Sequence, residues 1–147
     1  MIREKIGLVV AVILEIARLV AALILFLTIV EIITQIAFFR EILGMLCHQI
    51  PERCFSITGR PIALCTRCLG IYLGIVLGSF LFPRFRWLIW LLLPIFALEI
   101  TTQAIGMNSS NPVRFLSGFC LAIVIYLALS RLSWDLPKHI EAEAGVE

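Results

Sequence analysis

The sequence predicts an all-α, polytopic membrane protein with about four transmembrane helices in an antiparallel bundle. Three observations predict it. Hydrophobic residues make up 61% of the chain against 15% charged. The mean hydropathy is +1.06, far outside the soluble range. Several apolar stretches reach the roughly 20 residues needed to cross about 30 Å of hydrocarbon, with short connections that favour antiparallel neighbours. The expected spans lie at about 7–31, 61–82, 87–105 and 112–132, in one transmembrane domain over 1–135, followed by a polar, unstructured tail over 136–147.

The N-terminus Met1-Ile2-Arg3-Glu4-Lys5 resembles the charged start of a signal peptide. No small-residue cleavage site closes a short apolar core, so it reads as a retained first helix. The apolar stretch Ile6 to Phe39 would extend about 51 Å as one straight helix, too long for one crossing. Span one is therefore set at 7–31, and Thr34 to Leu46 is read as an interfacial helix whose Arg40 and Glu41 suit a headgroup position. Glu15 and Arg18, three residues apart, share a face and can neutralise one another.

For span two, Pro61 suits a first helical turn, and Gly70, Gly74 and Gly78 form a stripe on which another helix can pack closely, within the chain or in a second copy. Span three follows an aromatic and basic flank, Pro83 to Arg86. Span four opens with Asn111 as cap and Pro112 as first helical residue. The Lys and Arg residues divide almost evenly between the two sides, and if Arg53, Arg67 and Arg114 belong to a folded site the balance favours termini inside and cysteines outside. A net charge of +2 without a basic cluster gives no face for nucleic acid.

The chemistry concentrates in Cys47-His48-Gln49-Ile50-Pro51-Glu52-Arg53-Cys54-Phe55 and Cys65-Thr66-Arg67-Cys68. Cys65 and Cys68 at a helix start present two sulfurs on one face, near helix-terminal amides that stabilise thiolates. Cys47 and His48 supply the other half of a tetrahedral set, after a connection whose Pro51 and Gly59 let the chain fold back. Sulfur with imidazole suits zinc first and copper or iron second. Two disulfides, a redox-active C-x-x-C or an iron-sulfur cluster on Cys47, Cys54, Cys65 and Cys68 are the competing uses. Cys120 reads as a small buried hydrophobe.

A second polar group lies further on. Glu99, Thr102 and Gln103 share a face of span three, and Arg114, just inside span four, is placed to reach back toward Glu99. Intramembrane polar residues of this kind mark functional sites or clamps.

Through Cys47-His48-Gln49, Pro51-Glu52-Arg53 with Phe55, and Cys65-x-Arg67-Cys68-x-Gly70-x-Tyr72-x-Gly74, the chain resembles domain-of-unknown-function family 2085, small prokaryotic membrane proteins. Thr102-Gln103 and Ser110-Asn111-x-x-Arg114-x-x-x-Gly118 resemble its second polar motif, so the likeness covers roughly residues 38 to 125. Cys54 stands where the family more commonly has serine, which implies that Cys54 is not an essential ligand. Glu99 stands where aspartate is more common and keeps the carboxylate.

The expected protein is thus a multi-pass cell-membrane protein with a zinc site at Cys47, His48, Cys65 and Cys68. Glu99, Gln103 and Arg114 are the candidate catalytic groups, and Arg67, Thr102 and Asn111 the candidate substrate contacts. A metal-dependent enzyme on a membrane-associated substrate, a small-solute or ion transporter with structural zinc, and a membrane thiol redox protein are the functions these residues allow.

Overall fold

A computed structural model of the chain describes residues 2–57, 59–81, 87–104 and 110–144. In chain order they form α1 (Ile2–Thr34), α2 (Ala37–Gly44), a single 3₁₀ turn at Pro51–Arg53, strands β1 (Cys54–Ile57) and β2 (Arg60–Cys65), then α3 (Thr66–Leu81), α4 (Leu88–Ala104) and α5 (Asn111–Ala144). Helix dominates as expected, but the chain is not all-α. The segment 61–65, read from its proline as the start of a helix, is a strand.

The reason lies in the turn and in the edges. Gly59 takes φ +80°, which a residue with a Cβ rarely adopts, and this reverses the chain. β1 and β2 then pair antiparallel, Cys54 opposite Cys65 and Ser56 opposite Pro61, with a bulge between Cys54 and Ser56. Pro61 lacks an N–H, but both strands of a two-stranded sheet are edges, where proline is tolerated. The helix of the second apolar segment therefore starts only at Thr66.

α1 is continuous through Thr34. Its buried residues Leu14, Ala21, Ile24, Thr28 and Glu31 fall at intervals of seven, three, four and three, one stripe along the helix. The remaining faces carry exposed Leu19, Phe26 and Ile33, as a helix in hydrocarbon requires. Glu15 and Arg18 form the expected ion pair at 2.6 Å. Gln35 at φ +54° ends the helix, and the short helix α2 follows.

Lys5–Thr34 and Asn111–Arg131 are each long and apolar enough to cross a membrane. α3 has 16 residues, about 24 Å of helix, and α4 has 17 with Pro94 inside it. α5 is the element on which the others meet, packing against α1, α3 and α4. It also stays helical to Ala144, where the sequence predicts an unstructured tail, because Glu141-Ala142-Glu143-Ala144 are strong helix formers.

The glycine stripe lies inside the chain. Gly70, Gly74 and Gly78 are buried and face α5. A Cβ at Gly70 would collide with the Phe115 carbonyl, and one at Gly74 would lie 2.6 Å from the Phe119 carbonyl oxygen and 2.8 Å from the Ala122 Cβ. From α5, Gly118 approaches the Arg67 carbonyl in the same way. Backbone-to-backbone contact of this closeness is what small residues permit between membrane helices. The stripe is thus a seam between α3 and α5.

Candidate metal centre

Three elements bring sulfur to one point. Cys47 follows α2, Cys65 ends β2, and Cys68 lies in the first turn of α3. The hairpin returns the chain to Cys65, and the helix start carries Cys68 back beside it. The Sγ atoms of Cys47, Cys65 and Cys68 all lie within 4.8 Å of one another. A tetrahedral zinc with bonds of about 2.3 Å would hold its sulfurs roughly 3.8 Å apart, so a small closing movement fits the set to the ion.

Amides stabilise the sulfurs. The Cys65 amide donates to Cys47 Sγ at 3.2 Å, and the Cys68 amide donates to Cys65 Sγ at 3.5 Å. The Cys65 thiol is drawn well below its ordinary value, chiefly by the hydrogen bond from the Cys68 side chain, with the amides of Cys68 and Arg67 adding to it and burial opposing. A preformed thiolate with a neighbouring thiol is what a soft cation meets on arrival.

Beneath the sulfurs, buried Ile24, Leu43, Ala63 and Leu64 pack with Cys47, and Leu27, Leu69 and Tyr72 complete the layer. Leu43, Ala63 and Leu64 are fully enclosed. Gln49, at φ +46°, donates its side-chain amide to the Arg40 carbonyl at 2.7 Å and lies against Gly44. The third residue of the Cys-His-Gln motif therefore fixes the loop that presents Cys47.

The remaining expected ligands fare differently. His48 is exposed and is not in the sulfur set, but it lines the cavity of about 280 Å³ in front of the sulfurs, together with Leu46, Ile50 and Arg53. Cys54 stays out of the set, as its serine-like position implied. Its Sγ donates to the Ile50 carbonyl at 3.2 Å. Burial first, and then the charges of Cys47 and Cys65, push its thiol up to about 11. Cys120 is buried on α5. All five cysteines are free in this structure.

Of the second polar group, Glu99, Thr102 and Gln103 lie on α4, and their side chains fall outside the described residues. Asn111 does reach the cysteine end. It does not cap its helix: Ser110 precedes α5 and accepts the Arg114 amide at 3.1 Å. The Asn111 side chain instead donates to the carbonyls of Glu52 at 3.2 Å and Cys54 at 3.3 Å. Phe115 meets Phe55 with ring centroids 6.1 Å apart. Arg67 is half-buried with its backbone against Gly118, and Arg114 is half-buried one turn into α5. Arg53 was legible only as part of the motif Pro51-Glu52-Arg53, and its place on the cavity wall was not.

A helical membrane protein with a three-thiol cluster beside an open cavity is the class these features define. Over residues 47–128 the chain matches DUF2085, a family of predicted membrane proteins, and it belongs to that family. An uncharacterized protein of Methanocaldococcus jannaschii is 37% identical over 98 residues, covering 57% of this chain and 62% of that protein. An uncharacterized protein of Methanothermobacter thermautotrophicus is 39% identical over 105 residues, covering 65% of this chain and 93% of that protein. The match thus spans less than two thirds of the first relative's own length. No solved structure matches the chain.

Proposed function

We propose that this multi-pass membrane protein holds zinc on Cys47, Cys65 and Cys68, with the fourth position open toward the cavity, and acts as a metal-dependent enzyme on a membrane-associated substrate. The observation that carries this reading is the convergence of three sulfurs, with no fourth ligand among the described residues, at the wall of a cavity that also contains His48 and Arg53. Three protein ligands with an open position are the mark of catalytic rather than structural zinc. Zinc in such a place would supply Lewis acidity toward an oxygen of the bound molecule. Arg53 would hold an anionic group of the substrate, and His48 would move a proton.

A second reading has its own observation. His48 directly follows Cys47 and lines the same cavity, so a turn of its side chain would close a Cys3His site that braces the hairpin against α3. Cobalt(II) replacing zinc separates the two, because its visible spectrum reports the donor set. With an open position, His48→Ala leaves the ligand-field bands in place and added thiocyanate shifts them. If His48→Ala itself shifts the bands and thiocyanate has no effect on the parent protein, the site is closed and the enzymatic reading falls.

A further inference from the structure

At the end of α1 a second cavity of about 230 Å³, sharing no lining residue with the one at the sulfurs, opens between α1, α2 and the hairpin, lined by Glu31, Gln35, Arg40 and Arg60 with walls that include Ile32 and Ile62. The match to the family begins at Cys47, so Glu31, Gln35 and Arg40 come from the part of the chain that it does not cover. Glu31 is the unusual member. Its side chain is 9% exposed and its nearest cationic neighbour, Arg40 Nη1, is 3.9 Å away, beyond hydrogen-bond reach. This long ion pair leaves the carboxylate, on the cavity wall, open to a closer donor from a ligand.

The two guanidiniums are held in place by other contacts. Arg40 Nη2 donates to the Pro61 carbonyl at 3.1 Å. Arg60 Nη1 donates to Gln35 Oε1 at 2.6 Å, and Gln35 is the residue held at φ +54°. Each guanidinium has five N–H groups, so both retain donors for a ligand. α2 begins at Ala37 on the cavity wall with no side-chain cap, and the first amides of a helix favour an anion. The cavity therefore offers two cations, one carboxylate in a long ion pair, and isoleucine walls, at the end of a helix long enough to span a bilayer.

We propose that this cavity binds a phosphate ester bearing an amine, as in the headgroup of an ethanolamine phospholipid. The phosphate would lie between Arg40 and Arg60, and the ammonium would donate to Glu31. Guanidinium suits phosphate through paired N–H bonds, and the ammonium suits the carboxylate. The proposal uses none of the cysteines and stands apart from the metal.

The test is direct binding to the full chain in a phosphate-free detergent, read by native mass spectrometry and by the shift of the thermal midpoint. The probes are dihexanoylphosphatidylethanolamine, dihexanoylphosphatidylcholine and O-phosphoethanolamine. The ethanolamine lipid is expected to bind at least tenfold more weakly to Arg60→Gln and to Glu31→Gln, both with unchanged metal content. The choline lipid, whose head has no N–H for Glu31, is expected to bind at least fivefold more weakly than the ethanolamine lipid. If O-phosphoethanolamine binds as tightly as the lipid, the occupant is the soluble ester. If only the lipid binds, the occupant is the membrane headgroup with its chains on the isoleucines. Absence of binding by every probe, equal binding of the two lipids, or undiminished binding by exposed Arg60→Gln overturns the assignment.

Discussion

At its first turn α3 carries Cys68 into a cluster of sulfurs that nothing but hydrogen bonds and a core layer holds together. Within the next two turns, Gly70 and Gly74 press the same helix onto the backbone of α5. The first region is loose by atomic standards, with sulfurs up to 4.8 Å apart and a cavity beside them. The second leaves no room for a methyl group. The contrast shows that the chain fixes the position of α3 through the glycine seam and keeps the sulfur end adjustable, able to close on an ion or admit a ligand. Breaking the two regions should therefore give different phenotypes.

The largest effect is expected at the sulfurs. Cys65→Ser with Cys68→Ser should reduce bound zinc from about one per chain to near zero, measured by elemental analysis of purified protein. Apparent zinc affinities of cysteine-rich sites correspond to roughly 10 kcal/mol or more, and the one sulfur left of the three cannot retain the ion. Retention should also fall on acidification, since protons compete for the thiolates. Unchanged zinc in the double variant would remove the metal centre.

At the seam the expected loss is one of folding, with zinc content per folded chain preserved. Gly74→Val places new atoms against the Phe119 carbonyl and the Ala122 Cβ, and overpacking of this kind costs about 3 kcal/mol. Gly78→Ala is the internal control. Its Cβ would lie 3.3 Å from Tyr126 Cβ, a contact that a shift of a few tenths of an ångström between the helices relieves, and the cost should stay below about 1 kcal/mol. Thermal midpoints in detergent should rank Gly78→Ala well above Gly74→Val. Equal midpoints would mean that the seam does not set the position of α3.

The two regions were unequally legible in the sequence. Cys47, Cys65 and Cys68 could be grouped without a structure, because sulfur spacing at a helix start has few other uses, and the Gly70/Gly74/Gly78 stripe announced a close helix neighbour. Which neighbour it was could not be read, since a four-residue glycine period fits α5 and a second copy equally. The hairpin was missed because Pro61 signals a helix start and an edge strand with the same chemistry, and only the pairing across Gly59 decides between them. The cavity at Glu31 was hidden for another reason. Its residues lie up to 31 positions apart, and the local pattern of α1 marks Glu31 only as an interruption in an apolar run.

Between the two regions stands Asn111, which ties the end of the seam to the hairpin. Asn111→Ala removes two donated bonds, to the Glu52 and Cys54 carbonyls, each worth about 0.5–1.5 kcal/mol. A loss of about 1–2 kcal/mol in stability is expected, together with faster transfer of zinc to a chelator, because the hairpin that carries Cys65 is no longer anchored to α5. Unchanged transfer would mean that the sulfurs hold their geometry without help from the seam.

The smallest effect concerns Cys54, the one hairpin cysteine outside the set. Cys54→Ser should leave zinc content unaltered. In the zinc-free chain, alkylation by iodoacetamide mapped by peptide mass spectrometry should mark Cys65 first and Cys54 late. With its thiol at about 11 instead of the ordinary 9.0, Cys54 has about a hundredfold less thiolate near pH 8 than an ordinary cysteine. The greater nucleophilicity of a more basic thiolate recovers about tenfold of this, leaving a rate roughly tenfold low. Raising the pH toward 11 should bring the rate of Cys54 up, while Cys65, already largely ionised, gains little. Rapid labelling of Cys54 at pH 8 would place its sulfur in the open cavity instead of against the Ile50 carbonyl, and would restore it as a rival for the fourth position on the metal.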